Sequence, residues 1–226
     1  MSVMEINSSI EKSDLSFLFG GRYTRRFSHS INRKIDDFQA QLEDFTTPEL
    51  SYRIKKIESV SEGIISLQEG TKFKSPKFSK AMEPCEDIIC FIATIGSGIE
   101  EEIVRLMGEN RLSDSYILDS MGSIVVENMI DKFHKDMKKR YELKGRGVTL
   151  RFSPGYCDWP IKEQKKLFRL LGSDQTGIQL TDSCLMQPRK SVSGIFGVFP
   201  SNVNLPVSPY NPCLECKKQN CIARRN

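Results

Sequence analysis

Between Val148 and Trp159 the chain reads VTLRFSPGYCDW, and this stretch constrains the fold more than any other. Val148 to Phe152 is apolar and β-branched, so it is expected as a strand. Ser153-Pro154-Gly155 then stops it, because proline has no backbone donor and a fixed φ, and the Pro-Gly pair is a turn former. Asp158 is a good N-cap and Pro160 suits a first helical turn, which predicts a helix over about Trp159 to Leu171. Strand, turn and helix in such close succession leave backbone N–H and C=O groups at the junction that neither element uses. Ser153 and Gly155 are small enough for a ligand to approach that backbone, and Arg151 adds a planar fork of donors matched to a carboxylate or phosphate. A tight surface turn with an ion-paired arginine is the plainer reading of the same residues.

The rest of the chain supplies a scaffold. Ile31, Ile35, Phe38, Leu42 and Phe45 recur at helical spacing in the second of two helical pieces separated by Gly20-Gly21. Short β-type runs follow at Tyr52–Ile54, Gly63–Ser66 and Thr71–Phe73, the pattern of a meander. Cys85 to Ile95 is a continuous apolar strand of the kind buried on both faces. Gly96-Ser97-Gly98 opens a helix to about Met107; a phosphate cradle there is opposed by Glu100, Glu101 and Glu102 in its first turn. The longest helix is expected from Ser113 or Asp114 to Tyr141, with Ile117, Met121, Ile124, Val125, Met129, Phe133 and Met137 as its core stripe and His134 at its solvent-facing end. Ile178–Met186 and Ser191–Phe199 are expected as two closing strands, with Gly194 and Gly197 marking close approach to the second.

At 226 residues the chain can bury a full core without disulfides or metals. Its 33 basic and 29 acidic residues give a net charge of +4, too balanced to point to nucleic acid as a partner. The longest apolar run, Ile88 to Ile95, falls far short of the ~20 residues needed to span a bilayer. Charges in MSVMEINSSIEKSD exclude a signal-peptide core, so the expectation is a cytoplasmic protein with no membrane role. In that compartment the seven cysteines are expected as thiols or metal ligands. Cys213, Cys216 and Cys221 follow a C-x2-C-x4-C spacing, which suits zinc or an iron–sulfur cluster, with Cys157 or Cys184 as candidates for a fourth ligand and reduced thiols on a tail as the alternative. Neither histidine stands in a Ser/His/Asp or Cys/His arrangement, and Glu163 and Asp182 make no evident acid pair, so no catalytic residue is assigned.

Three blocks in order, Arg151-Phe-Ser-Pro-Gly-Tyr156, Leu180-Thr-Asp-Ser-Cys-Leu-Met186 and Ser191-Val-Ser-Gly194, resemble the activation domain of cobalamin-dependent methionine synthase in its free-standing form. The resemblance covers about Ile89 to Phe199 and extends only loosely to the first eighty residues. It implies an α+β fold with a twisted, mainly antiparallel sheet covered by long helices, expected as one domain over residues 1–210, while the cysteine spacing marks residues 211–226 as a separate appendage. It also implies S-adenosylmethionine binding, with Arg151 on the methionine carboxylate, the backbone around Ser153 and Gly155 on the ligand's polar edges and Tyr156 lining the methyl-facing side. The partners implied are a cobalamin-binding methyltransferase subunit, whose cob(II)alamin is reductively methylated, and a flavodoxin-like or ferredoxin-like reductant. The family's adjacent tyrosine pair after Ser-Val-Ser-Gly is missing, and its acidic position before the motif arginine falls on Gly145. An activator or electron-transfer protein that works on a corrinoid protein without S-adenosylmethionine is the alternative.

Overall fold

In the computed structural model the described residues are 10, 15, 27–172, 177–200 and 210–217. By contact the chain divides into two units: Met1–Ser51, Ile92–Phe133 and Asp174–Val192 in the first, Tyr52–Phe91, His134–Ser173 and Ser193–Asn226 in the second.

The chain forms a six-stranded sheet. Its strands are β1 (Glu49–Ser61), β2 (Ile64–Leu67), β3 (Lys72–Lys74), β4 (Asp87–Thr94), β5 (Arg146–Val148) and β8 (Ser191–Pro200), in the order β3-β2-β1-β4-β8-β5. The pairs β1/β2, β2/β3 and β5/β8 are antiparallel, so the fold is α+β as expected. β4 is buried at every position, because an uninterrupted apolar run can only be satisfied between covered faces. Helix α2 (Pro76–Met82) begins at Ser75, whose hydroxyl accepts from Phe78 N at 3.1 Å, with proline in the first turn. Around it Phe73, Phe78, Phe152 and Trp159 form an aromatic cluster with centroid separations of 4.4 to 6.3 Å. His134 is half-buried rather than facing solvent: Nε2 lies 2.9 Å from Thr149 O and the ring meets Phe196 edge-on.

The first unit contains α1 (His29–Gln41), capped by Ser28 and burying Ile35 and Phe38, followed by a 3-10 turn that buries Leu42. Helix α3 (Gly98–Gly108) follows the Gly-Ser-Gly turn. That turn is filled from within: a Cβ on Gly98 would stand 2.6 Å from Phe45 O, and one on Gly96 would overlap the Thr47 hydroxyl. The side on which a Cβ would stand is therefore closed. Helix α4 (Leu112–Glu142) begins in this unit and continues into the second, and its apolar stripe is buried as periodicity predicts. Lys190, buried, is held by Asp119 Oδ1 at 2.8 Å and Ser123 Oγ at 2.9 Å.

Two expected strands are corrected. Ile178–Met186 is not one strand but β6 (Gln179–Leu180) and β7 (Met186–Gln187), paired with each other in a separate ribbon. Turn chemistry wins between them, with Thr181 Oγ1 accepting from Leu185 N at 3.1 Å and Cys184 in the left-handed region at φ 65°. Val148–Phe152 is likewise interrupted. Val148 pairs with Val198, but the next pair is Phe152 with Ile195, so four steps on one strand face three on the other. That is a bulge of one extra residue, which re-aims the chain just before the Ser-Pro-Gly turn. Thr149 makes it feasible, its hydroxyl accepting from Gly197 N at 2.9 Å where the ladder is broken.

Candidate ligand turn and cysteine cluster

The bulge delivers the chain into a compact turn in the second unit. Gly155 sits at φ 92°, a conformation costly for other residues, and its N–H donates to Trp159 O at 2.8 Å. Tyr156 N–H donates to Ser153 O at 3.2 Å, and Trp159 N–H to Tyr156 O at 3.1 Å. The N–H groups of Gly155 and Tyr156 are thus engaged inside the turn. Outward recognition falls to side chains: half-buried Arg151 and Ser153, and Tyr156, which is 53 % exposed.

The turn is clamped from two directions. Phe152 and Ile195 exchange backbone hydrogen bonds, both 2.8 Å, and a Cβ on Gly194 would lie 2.7 Å from Phe152 O and 3.0 Å from Ser153 Oγ. The Arg151–Tyr156 and Ser-Val-Ser-Gly blocks, separated by the 34 residues 157–190, therefore meet backbone to backbone at Ser193–Ile195. What approaches the glycine is the chain itself. On the other side Asp158 does not cap its own helix, which starts as a 3-10 turn at Ile161–Glu163 and becomes α5 (Gln164–Leu171). Its carboxylate accepts from Ser75 Oγ at 2.5 Å and Lys77 N at 3.0 Å, adding a charge-assisted cap to α2. Trp159, next in sequence, stacks on Phe78 and is buried, so the turn stands on the aromatic cluster. The Leu180–Met186 block belongs to the first unit.

Cys157 projects from the same turn, exposed, at φ 56°. Burial of part of its surface raises its thiol pKa, the neighbouring Cys213 raises it further, and Cys216 adds to this, while Lys77 opposes them. Cys213 and Cys216 are half-buried, Cys221 lies outside the described residues, and Cys184 is buried in the first unit. Among the described residues no group of three His, Cys, Asp or Glu side chains is already drawn together as a metal site requires. Ser75-Pro76 signals a helix start, but its acidic partner Asp158 lies 83 residues along the chain.

A sequence model of the family described as vitamin B12 dependent methionine synthase, activation domain, matches residues 78–207. Among solved structures, the MetH reactivation domain bound to AdoHcy aligns with a TM-score of 0.61 at 16 % identity, over 86 % of this chain and 74 % of that one. That likeness is one of fold. Sporulation-specific protein 15 of Schizosaccharomyces pombe is 23 % identical over 149 residues, 65 % of this chain but only 7 % of that protein's length. Among the described residues no helix is long and apolar enough to cross a membrane.

Proposed function

Because the chain belongs to the family of vitamin B12-dependent methionine synthase activation domains, we propose that it binds S-adenosylmethionine at the Arg151–Tyr156 turn. There it would support reductive methylation of cob(II)alamin held by a cobalamin-binding methyltransferase. The observation that supports this reading is the junction of Phe152 and Ser153 with Gly194, which brings parts of two of the three motif blocks together.

A corrinoid on the partner would supply the chemistry, taking an electron from a flavodoxin-like or ferredoxin-like donor and the methyl group of S-adenosylmethionine. This chain's task is positioning. The Arg151 guanidinium supplies a charged fork for the methionine carboxylate. Tyr156, exposed on the same turn, offers an apolar face to the methyl-bearing end and a hydroxyl at its rim. Ser153, next to the residue bonded to Ile195, supplies a further hydroxyl. Gly155 and Trp159 keep the turn closed, so little ordering cost falls on binding.

Calorimetric titration of the full chain with S-adenosylmethionine and with S-adenosylhomocysteine tests the proposal. Saturable binding is expected, weakened in Arg151→Ala by about 1.5–3 kcal/mol, the range for a charged hydrogen bond, with the fold unchanged by circular dichroism. Absence of binding to both ligands would sink the reading and leave an activator that acts without S-adenosylmethionine.

A further inference from the structure

The net charge of +4 hides a local asymmetry in the second unit. In β3, Lys72 and Lys74 are exposed on either side of buried Phe73, because side chains alternate along a strand. On α5 and the 3-10 turn before it, Lys162, Lys165 and Arg169 are exposed at spacings of three and four, away from buried Leu167 and Phe168. Lys166 ties these two elements together, its Nζ donating to Lys72 O at 2.8 Å. Lys77, half-buried at the start of α2, donates its N–H to Asp158 Oδ2 at 3.0 Å. The basic face therefore starts at the ligand turn. Asp158 follows Tyr156 by two residues, and Ile161, next to Lys162, is what a Cβ on Gly155 would meet, at 3.2 Å. Three carboxylates belong to the same region, and two are engaged: Glu163 is buried against Lys166 at 2.8 Å, and Asp158 accepts from Ser75 Oγ and Lys77 N. Glu62, at the β1–β2 turn, is the third. Among the described residues none of Lys72, Lys74, Lys77, Lys162, Lys165 and Arg169 is ion-paired with a carboxylate.

We propose that this face is the docking rim for the cobalamin-carrying methyltransferase, whose own acidic surface covers the six cations and so brings its corrinoid over Tyr156. The partner's identity rests on the methyl-donor reading: a methyl acceptor can be served from the Arg151–Tyr156 turn only if its carrier covers that turn. The partner's acidity rests on the face itself. Like charges crowded without counter-ions of their own favour an approaching surface of opposite sign. An ammonium is a compact, strongly hydrated charge, which suits an exposed rim that steers a partner rather than a closed ligand pocket. Tyr156 and Ile161, 53 % and 39 % exposed, stand where the rim meets the turn, giving the apolar centre and polar border of a protein interface.

The test follows association of the full chain with a cobalamin-loaded methionine synthase from the same organism that lacks an activation domain of its own. Interferometry over about 50 to 500 mM salt, where the screening length shortens severalfold, should show the on-rate falling at least about tenfold. The double variant Lys162→Glu, Lys165→Glu should slow association at least about tenfold at low salt, with circular dichroism unchanged. Reversal of Lys135 and Lys139, exposed on α4 in the same unit, should not. No association, salt-independent association or equal slowing by the two reversals overturns the proposal. So does duplex DNA that binds the unaltered chain as tightly as the methionine synthase and is lost in the Lys162, Lys165 variant, since the face would then belong to nucleic acid. Titration with S-adenosylmethionine separates the two failures. Ligand binding intact with association indifferent to the lysines rejects the docking face alone, whereas an unaltered chain that binds no ligand rejects the methyl-donor reading.

Discussion

Trp159 is 2 % exposed, stacks on Phe78 at 4.4 Å and meets Phe73 edge-on at 5.4 Å, yet its Nε1–H has no hydrogen-bond partner among the described residues. Its ring area stabilises the turn that ends at it, while its buried donor costs about 1–3 kcal/mol if left unpaired. The two contributions can be separated. Trp159→Phe keeps most of the stacking and removes the donor, so it is expected to change stability by less than ~1.5 kcal/mol. Trp159→Ala removes both and should cost ~3–5 kcal/mol. Urea denaturation of the two variants decides the matter, and a phenylalanine variant as damaged as the alanine one would mean that the indole N–H is satisfied by a bound water or ligand. Tyr156 and Arg151 differ from Trp159 in kind: Tyr156 is exposed and Arg151 half-buried, so substituting them should change binding while leaving the core intact.

The strand β8 and the bulged chain before the Ser-Pro-Gly turn make contact at a position where only glycine fits. In Gly194→Ala the added methyl would meet Phe152 O at 2.7 Å and Phe91 Cζ at 2.8 Å, so backbone must move. A loss of about 1–3 kcal/mol is expected, the range for overpacking, together with weaker S-adenosylmethionine binding because Ser153 moves with Phe152. Thermal denaturation and ligand titration of the variant check the two effects; loss of stability with affinity intact would separate this contact from the ligand surface. Elements with long local patterns were legible beforehand: β4 from its unbroken apolar run, α4 from its stripe, β8 from its β-branched and aromatic content. What failed were short stretches whose partners are remote. Asp158 reads as an N-cap of its own helix, and it does cap a helix, but one 81 to 83 residues away. The Leu180–Met186 segment reads as a strand by composition, whereas Thr181 and Cys184 bend it locally. The site residues themselves were legible as motifs; that two of the motifs touch was not, because this rests on the Phe152–Ile195 pairing, which only the folded chain reveals.

At the scale of the whole molecule the question is how far the cysteine segment belongs to the folded core. Every strand of the six-stranded sheet ends by Pro200, and the described part of the tail, residues 210–217, is held by the Lys80–Glu215 pair and by Lys80 over Tyr210. Both partners of the ion pair are more than half exposed, so it contributes ~0–1 kcal/mol, and an exposed cation–π contact adds ~0.5–1 kcal/mol. Neither sum approaches what a buried strand supplies. Removal of residues 211–226, which keeps Tyr210, is therefore expected to leave a cooperatively unfolding protein. Its Tm should fall by only a few degrees, given about 2–4 °C per kcal/mol for a chain of this size. Binding of S-adenosylmethionine, which needs Arg151 to Tyr156 and β8, should persist in the shortened chain. Differential scanning calorimetry with and without the ligand reads both quantities on one sample. A broad, non-cooperative transition would place the tail inside the core and end the division of the chain at residue 210; a sharp transition with ligand stabilisation intact would make the tail a separable addition to the activation domain.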